Sequence, residues 1–176
     1  MEEAMIIELS ESEIAVAELI GTMRYEASKK NGAKDQQVGG QDPVQINIDG
    51  VMAELAAARA LNLCPDLIVN ARGGAPYDLI THEKRDADGR LYQRAVKIDV
   101  KATRWPNGQL VVHPHKNPGD CDYYLLAIVT GDTVNLIKFA SAETVFQPEN
   151  FRALTHHPDS KKTYALYQHE MKDFRP

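Results

Sequence analysis

The chain reads as an α/β protein, a mixed β-sheet with helices to one side. Three observations carry this reading. Apolar residues recur at helical spacing in two segments before residue 63. Beyond Pro65 the period changes to two, in short runs separated by turn residues. Hydrophobic residues make up 43% and charged residues 26% of the 176 positions, which suits one packed domain and excludes a wholly disordered chain.

Each element follows from local chemistry. Ser10-Glu11-Ser12-Glu13 has the S-x-x-E form of a capping box, in which side chains satisfy the free N–H groups of a first turn. Behind it Val16, Leu19, Ile20, Met23 and Ala27 recur at helical spacing, which predicts a helix over Glu11–Lys29 ended by Asn31-Gly32. Residues 31–45 hold Gly32, Gly39, Gly40 and Pro43 among polar residues and read as a loop. Asp49 is placed to cap a second helix over Gly50–Asn62, with Val51, Leu55, Ala58 and Leu61 as its apolar stripe. Glu54 falls on or beside that stripe. A carboxylate facing a core is costly unless its desolvation is compensated; the alternative is a stripe-edge Glu that reaches water.

The β part begins with a short strand over Tyr77–Thr81, after a turn at Gly73-Gly74. Residues Ala95–Thr103 alternate, with Val96, Ile98, Val100 and Ala102 on one face and Lys97, Asp99, Lys101 and Thr103 on the other. Pro106-Asn107-Gly108 reads as a turn into a return strand over Gln109–His113, so 95–113 is expected to be a hairpin. Tyr123–Val129 and Val134–Phe139, joined at Gly131-Asp132, form a second hairpin whose apolar first strand is central. Ser141 opens a short helix, and Tyr164–Gln168 is a last short strand. The division is an N-terminal helix and polar loop, 1–45, followed by a sheet domain, 46–176.

Composition excludes several classes. No apolar run approaches the ~20 residues that a membrane helix needs. The acidic start MEEAMIIELSESE lacks the basic opening of a secretory leader. Cys64 and Cys121 form no C-x-x-C pair, so a reducing, cytoplasmic setting is expected, without membrane or organic cofactor. The net charge of −5 speaks against nucleic acid, but it is unevenly spread. Residues 1–26 carry seven Glu and one Arg, Arg24, whereas residues 84–116 carry eight bases and three Asp. A phosphate backbone feels such a local field within about 8–10 Å; the alternative is a solvated charged face.

One constellation carries chemistry. Asp99 and Lys101 stand two apart on one strand face, Asp78 lies on the preceding strand, and Glu54 lies on the helix before that. Close carboxylates raise one another's cost of ionising, and a divalent cation with oxygen ligands removes it. The combination of Pro76-Tyr77-Asp78 and Asp99-Val100-Lys101, after the helix Gly50-Val-Met-Ala-Glu54-Leu-Ala-Ala-Ala-Arg-Ala-Leu, resembles the PD-(D/E)XK or restriction-endonuclease-like nuclease superfamily. The resemblance covers roughly residues 48–140. Looser likeness in Asp122-Tyr-Tyr-Leu-Leu-Ala-Ile-Val and the tail is to small phage- and prophage-type members. It implies a restriction-endonuclease-like mixed β-sheet with the Glu-bearing helix on one face and an extra N-terminal helix. It implies a Mg²⁺-dependent DNA endonuclease, with Mn²⁺ as substitute. Asp78, Asp99 and the Val100 carbonyl would be metal ligands, Glu54 an auxiliary ligand, and Lys101 would position the attacking water. Thr103, Arg104 and Lys116 would contact DNA. Cutting two strands takes two sites, so a homodimer is among the expectations, with the N-terminal helix as dimer element or lid. The chain departs from the family in two respects: one residue, Tyr77, separates Pro76 from Asp78 in the first motif, and the link His115–Asp122 is too short and turn-rich for the usual helix.

Other readings compete. His113, His115 and Cys121 are soft enough for zinc, but fit no standard finger. His156-His157 and His169 lie in a weakly patterned tail. Trp105 either stacks on a base or packs on its own sheet. Asp99 and Lys101 are alternatively surface charges of an exposed salt-bridge face. At the level of the whole protein, the rivals are a non-catalytic DNA-binding protein on the same fold and an acidic inhibitor or DNA mimic.

Overall fold

The computed structural model describes residues 5–32, 42–69, 76–87, 90–154 and 162–174, with the backbone alone over 82–87 and 90–93. The Gly39-Gly40 part of the loop, the Gly73-Gly74 turn, His156-His157 and the side chains of Lys84, Arg85 and Arg90 lie outside the described residues.

The capping box forms as the sequence predicts. The Ser10 N–H donates to Glu13 Oε2 at 2.7 Å and the Glu13 N–H to Ser10 Oγ at 3.3 Å, opening α1, Glu11–Lys30. Ahead of it lies an unexpected strand, β1, Met5–Glu8; four residues are too few to show a period. The second helix, α2, runs Pro43–Ala60 and so starts seven positions earlier than expected. Its cap is Asp42, which accepts from the Val44 N–H at 2.9 Å, and Pro43 takes the first helical position. Proline is at home there, because that N–H would have no helical partner and φ is already set. Asp49 is therefore no cap but a buried residue inside the helix.

The strands are β2 (Leu79–Ala87), β3 (Arg90–Thr103), β4 (Leu110–Val112), β5 (Tyr123–Thr130), β6 (Thr133–Ser141), β7 (Phe151–Ala153), β8 (Lys162–Leu166) and β9 (Lys172–Asp173), with a one-turn helix α3 at Ala142–Val145. The main sheet has the order β1-β6-β5-β3-β2, with β9 also on β6. Its neighbours are antiparallel except β3 and β5, which run parallel with Asp99 opposite Tyr124 and Lys101 opposite Leu126. The fold is thus a mixed α/β one, as expected. The β5–β6 hairpin also forms, turning at Gly131 with φ +61°, a conformation open to glycine at little cost.

The expected 95–113 hairpin does not form. Strand β3 pairs with β2 over Arg90–Ile98 and with β5 over Ile98–Thr103, and beyond Ile98 its β2-side edge meets the Asp78 carboxylate through the Val100 N–H. The chain after Thr103 leaves the sheet, and β4 pairs instead with β8 in a small second sheet, β4-β8-β7. Residues 104–122 supply the crossover that a parallel pair requires, with β4 and turns in place of a helix. The alternation of β3 now has two meanings. Val96, Ile98 and Val100 pack with Val51, Met52 and Leu55 of α2. The other face looks toward the second cluster, built from Leu110, Val112, Tyr124, Leu126 and Leu166.

Residues 5–32 and 42–45 pack with the rest, since β1 pairs with β6, α1 packs along α2 and α2 begins at Pro43. Among the described residues, no helix is long and apolar enough to cross a membrane, and Cys64 and Cys121 are free thiols.

Gly21 sets the distance between α1 and α2. A Cβ there would stand 2.6 Å from Ile48 Cα, a backbone atom that cannot step aside. Glycine inside a helix normally loses about 0.5–1 kcal/mol against alanine. Here the sign reverses, and Gly21→Ala is expected to destabilise by about 1–3 kcal/mol through overpacking, read by chemical denaturation.

Candidate active site

Asp99 lies on the second-cluster face of β3 and is 2% exposed. The exposed salt-bridge face is therefore not what forms. A buried carboxylate needs compensating charge, and two lysines provide it. Lys101 Nζ, two residues along the same face, donates to Asp99 Oδ1. Lys116 Nζ, from the turns that link β4 to β5, donates to Asp99 Oδ2 at 2.9 Å and to the Pro76 carbonyl at 2.9 Å. Lys116, expected as a DNA contact, thus sits inside the carboxylate cluster.

Asp78 immediately precedes β2 and continues its pairing: the Asp78 N–H donates to the Ile98 carbonyl at 2.9 Å. Its Oδ2 accepts the Val100 N–H at 2.7 Å. The backbone of Val100 thereby joins the two halves of the sequence motif. Glu54 is buried on α2, and Arg24 of α1 grips both of its oxygens, Nη1 standing 2.7 and 2.8 Å away. Arg24 Nη2 also donates to the Asp66 carbonyl at 2.7 Å. Glu54 is therefore not a stripe-edge residue reaching water.

These groups act on one another electrostatically. Burial, then the charge of Asp78, pushes Glu54 up to about 8, against the pull of Arg24 and Lys101. Burial, then the charge of Asp99, pushes Asp78 up to about 6, against Lys101, the Val100 N–H and Arg24. Burial works against the Lys101 ammonium, but the Asp99 and Asp78 carboxylates outweigh it and hold the ammonium above the ordinary lysine value. Asp78 thus feels the charges of Asp99 and Lys101, and Glu54 those of Asp78 and Lys101.

No family model, curated protein or solved structure matches the chain. What the site can do follows from its own geometry. Among the described residues, no three His, Cys, Asp or Glu side chains form a ready metal cage. Mg²⁺ does not need one, because it keeps several waters and is commonly held by one or two carboxylates with substrate phosphates. Hard oxygen donors on Asp78 and Asp99 fit that ion. The zinc set fits less well: the His113 and His115 rings stand 4.3 Å apart, but Cys121 is buried and burial pushes its thiol up to about 11, away from the thiolate that zinc takes.

Two expected DNA contacts have protein partners. Arg104 forks onto the buried Asp49, Nε to Oδ2 and Nη2 to Oδ1 at 2.9 Å. Thr103 Oγ1 accepts the Trp105 N–H at 3.2 Å. Arg24 and Asp49 are the residues that sequence reasoning missed. Arg24 left a signal, as the lone base among seven Glu in residues 1–26. Asp49 left a misleading one, since its spacing also suits a cap.

The raised Glu54 value has a consequence for stability. Between the ordinary value of 4.5 and about 8, folded Glu54 keeps a proton that the unfolded chain releases. The folded state then binds more protons, so stability falls as pH rises through that window. Thermal melts in a chelating buffer are expected to show Tm declining from pH 5 to pH 9, with a shallower slope in Glu54→Gln. Equal slopes would remove Glu54 as the source.

Proposed function

We propose that this chain is a divalent-metal-dependent DNA nuclease on a restriction-endonuclease-like fold. One observation carries the reading: Asp78, just before β2, stands beside Asp99-x-Lys101 of β3, and the Val100 N–H between the last two is bonded to the Asp78 carboxylate. Chance charge alternation yields a D-x-K but no reason for a second carboxylate to be tied to its middle residue. The mixed sheet backed by the Glu54 helix supports the finer fold assignment, with β4 and turns standing where the family keeps a helix.

Asp78 and Asp99 would hold Mg²⁺ or Mn²⁺, with the Val100 carbonyl as a further ligand and Glu54 as an outer one. Such an ion polarises a phosphodiester and lowers the pKa of a bound water. The chain's own residues supply the rest. Lys101, kept charged by its two carboxylate neighbours, acts as a donor that orients the attacking water and meets charge developing on the phosphate. It is not the proton acceptor. Lys116 presents a second ammonium on the opposite oxygen of the same carboxylate, placed to hold a phosphate oxygen. Arg24 acts at one remove, fixing where the Glu54 carboxylate stands.

The second reading is a non-catalytic relative, and one observation favours it. Glu54 and Asp99 are met by three cations, Arg24, Lys101 and Lys116, and Asp78 by a backbone N–H, as in a structural ion network. The acidic-mimic reading has only the charge of the N-terminal segment behind it.

Cleavage of a mixed DNA panel in Mg²⁺ or Mn²⁺ is expected, abolished by chelation and reduced at least ~100-fold in Asp99→Ala and in Lys101→Ala. Mg²⁺ is also expected to raise Tm of the wild type, and not of Asp78→Ala/Asp99→Ala, because a ligand stabilises only the state that binds it. A wild type that neither cuts nor shifts with metal would leave the structural network as the better reading.

A further inference from the structure

We propose that Trp105 is a base-stacking residue and that the substrate offers it an unpaired nucleotide next to the catalytic groups. This rests on the nuclease reading above and adds the form of DNA that the site takes.

The face of β3 that bears Asp99 and Lys101 continues to Thr103. There the chain folds back over it: a Cβ on Gly108 would stand 2.6 Å from both Cγ2 and Oγ1 of Thr103. Trp105 thus leaves the strand four positions beyond Lys101, at most ~13 Å along it. The loop that carries it is tightly held. The Trp105 N–H donates to Thr103 Oγ1 at 3.2 Å, and the Gly108 N–H to the Trp105 carbonyl at 2.8 Å. Gln168 Nε2 donates to the Pro106 carbonyl at 2.8 Å and to the Gly108 carbonyl at 3.1 Å. Yet the tryptophan is 66% exposed. An indole on an anchored backbone is a preorganised flat surface, with little left to order when something stacks on it.

Its surroundings fit the same occupant. Leu110 pairs with Leu166, so the Trp105 loop and Tyr167 lie side by side, with Gln168 bridging them. Tyr167 is 43% exposed, its ring stacked on His169 at 5.6 Å and 11°, with the Arg152 guanidinium 5.2 Å from its centroid. Exposed aromatic planes are what a single strand uses, since every base has a π-face; the Arg152 guanidinium itself is held by Glu170 and Asn150 and fixes the Tyr167 ring. A fully paired duplex keeps those faces stacked inside and has none to give. The substrate is therefore DNA with a single-stranded part, such as a tail, flap or gap.

Trp105 is the sole tryptophan, so intrinsic fluorescence reads this residue alone. In calcium buffer, a ten-nucleotide oligo(dT) is expected to quench it, and a blunt duplex of the same length is not. By fluorescence anisotropy, Trp105→Ala should bind labelled oligo(dT) at least ~5-fold more weakly, the low end of one lost stacking contact. Trp105→Phe should keep most of the affinity, and duplex affinity should hold within about twofold in both, given the sequence-tolerant but strand-selective nature of stacking. Circular dichroism melts confirm that both variants fold. Unquenched fluorescence with unchanged Trp105→Ala affinity, in a protein that still cuts DNA through Asp99, overturns this inference and leaves the nuclease reading standing. A protein that neither binds nor cuts any DNA form ends both. A concentration-dependent blue shift without DNA would assign the indole to a self-contact, and that too overturns the inference.

Discussion

Two carboxylates, Glu54 and Asp99, are brought out of water beside a third, the half-buried Asp78, and this requirement organises the molecule. A buried carboxylate without a partner costs several kcal/mol, so each must be met by a cation or a backbone donor. The partners come from different elements. Arg24 on α1 meets Glu54 on α2, the Val100 N–H on β3 meets Asp78 before β2, and Lys116 from the crossover meets Asp99 on β3. Removing Arg24 would leave Glu54 without its partner, whereas Asp99 keeps Lys101 when Lys116 is lost, so the site and the fold support each other. Such a network is weak evidence for stability by itself. Its meaning lies in where it puts the charges, at the junction of two paired strands.

Strand β3 makes that junction possible. Asp99 and Lys101 stand opposite Tyr124 and Leu126 of β5, and Val100 between them donates to Asp78, which holds the two side chains in fixed positions before the chain leaves the sheet. The displaced segment returns as β4, and its link delivers Lys116 to Asp99. The same displacement leaves Trp105 on a short held loop at the end of the candidate catalytic face. One topological fact thus accounts for a lysine inside the cluster and an indole outside it.

The acidic first helix is part of the site's support. Gly21 lets α1 lie against the backbone of α2, and one turn later Arg24 reaches Glu54. The net charge of −5 therefore says little about the partner: Glu13 is held by the cap and by Arg59, and the carboxylates of the cluster face cations.

Sequence by itself determined the elements whose signals are local. The capping box at Ser10, the β5–β6 hairpin at Gly131, the cap at Ser141 and the alternation of β3 depend on residues within a few positions of one another. It also brought Glu54, Asp78, Asp99 and Lys101 together on paper, because period and spacing place side chains on faces. Only the tertiary structure decided the rest. Asp42 rather than Asp49 caps α2, since both spacings suit a cap and packing with Arg104 selects between them. The partner of β4 is β8, because strand edges are a shared resource that local pattern cannot allocate. Arg24 and Lys116 reach their carboxylates across 30 and 17 positions, distances over which no sequence period operates. Burial turned an ordinary row of charges on β3 into a coupled cluster, and burial belongs to the folded chain as a whole.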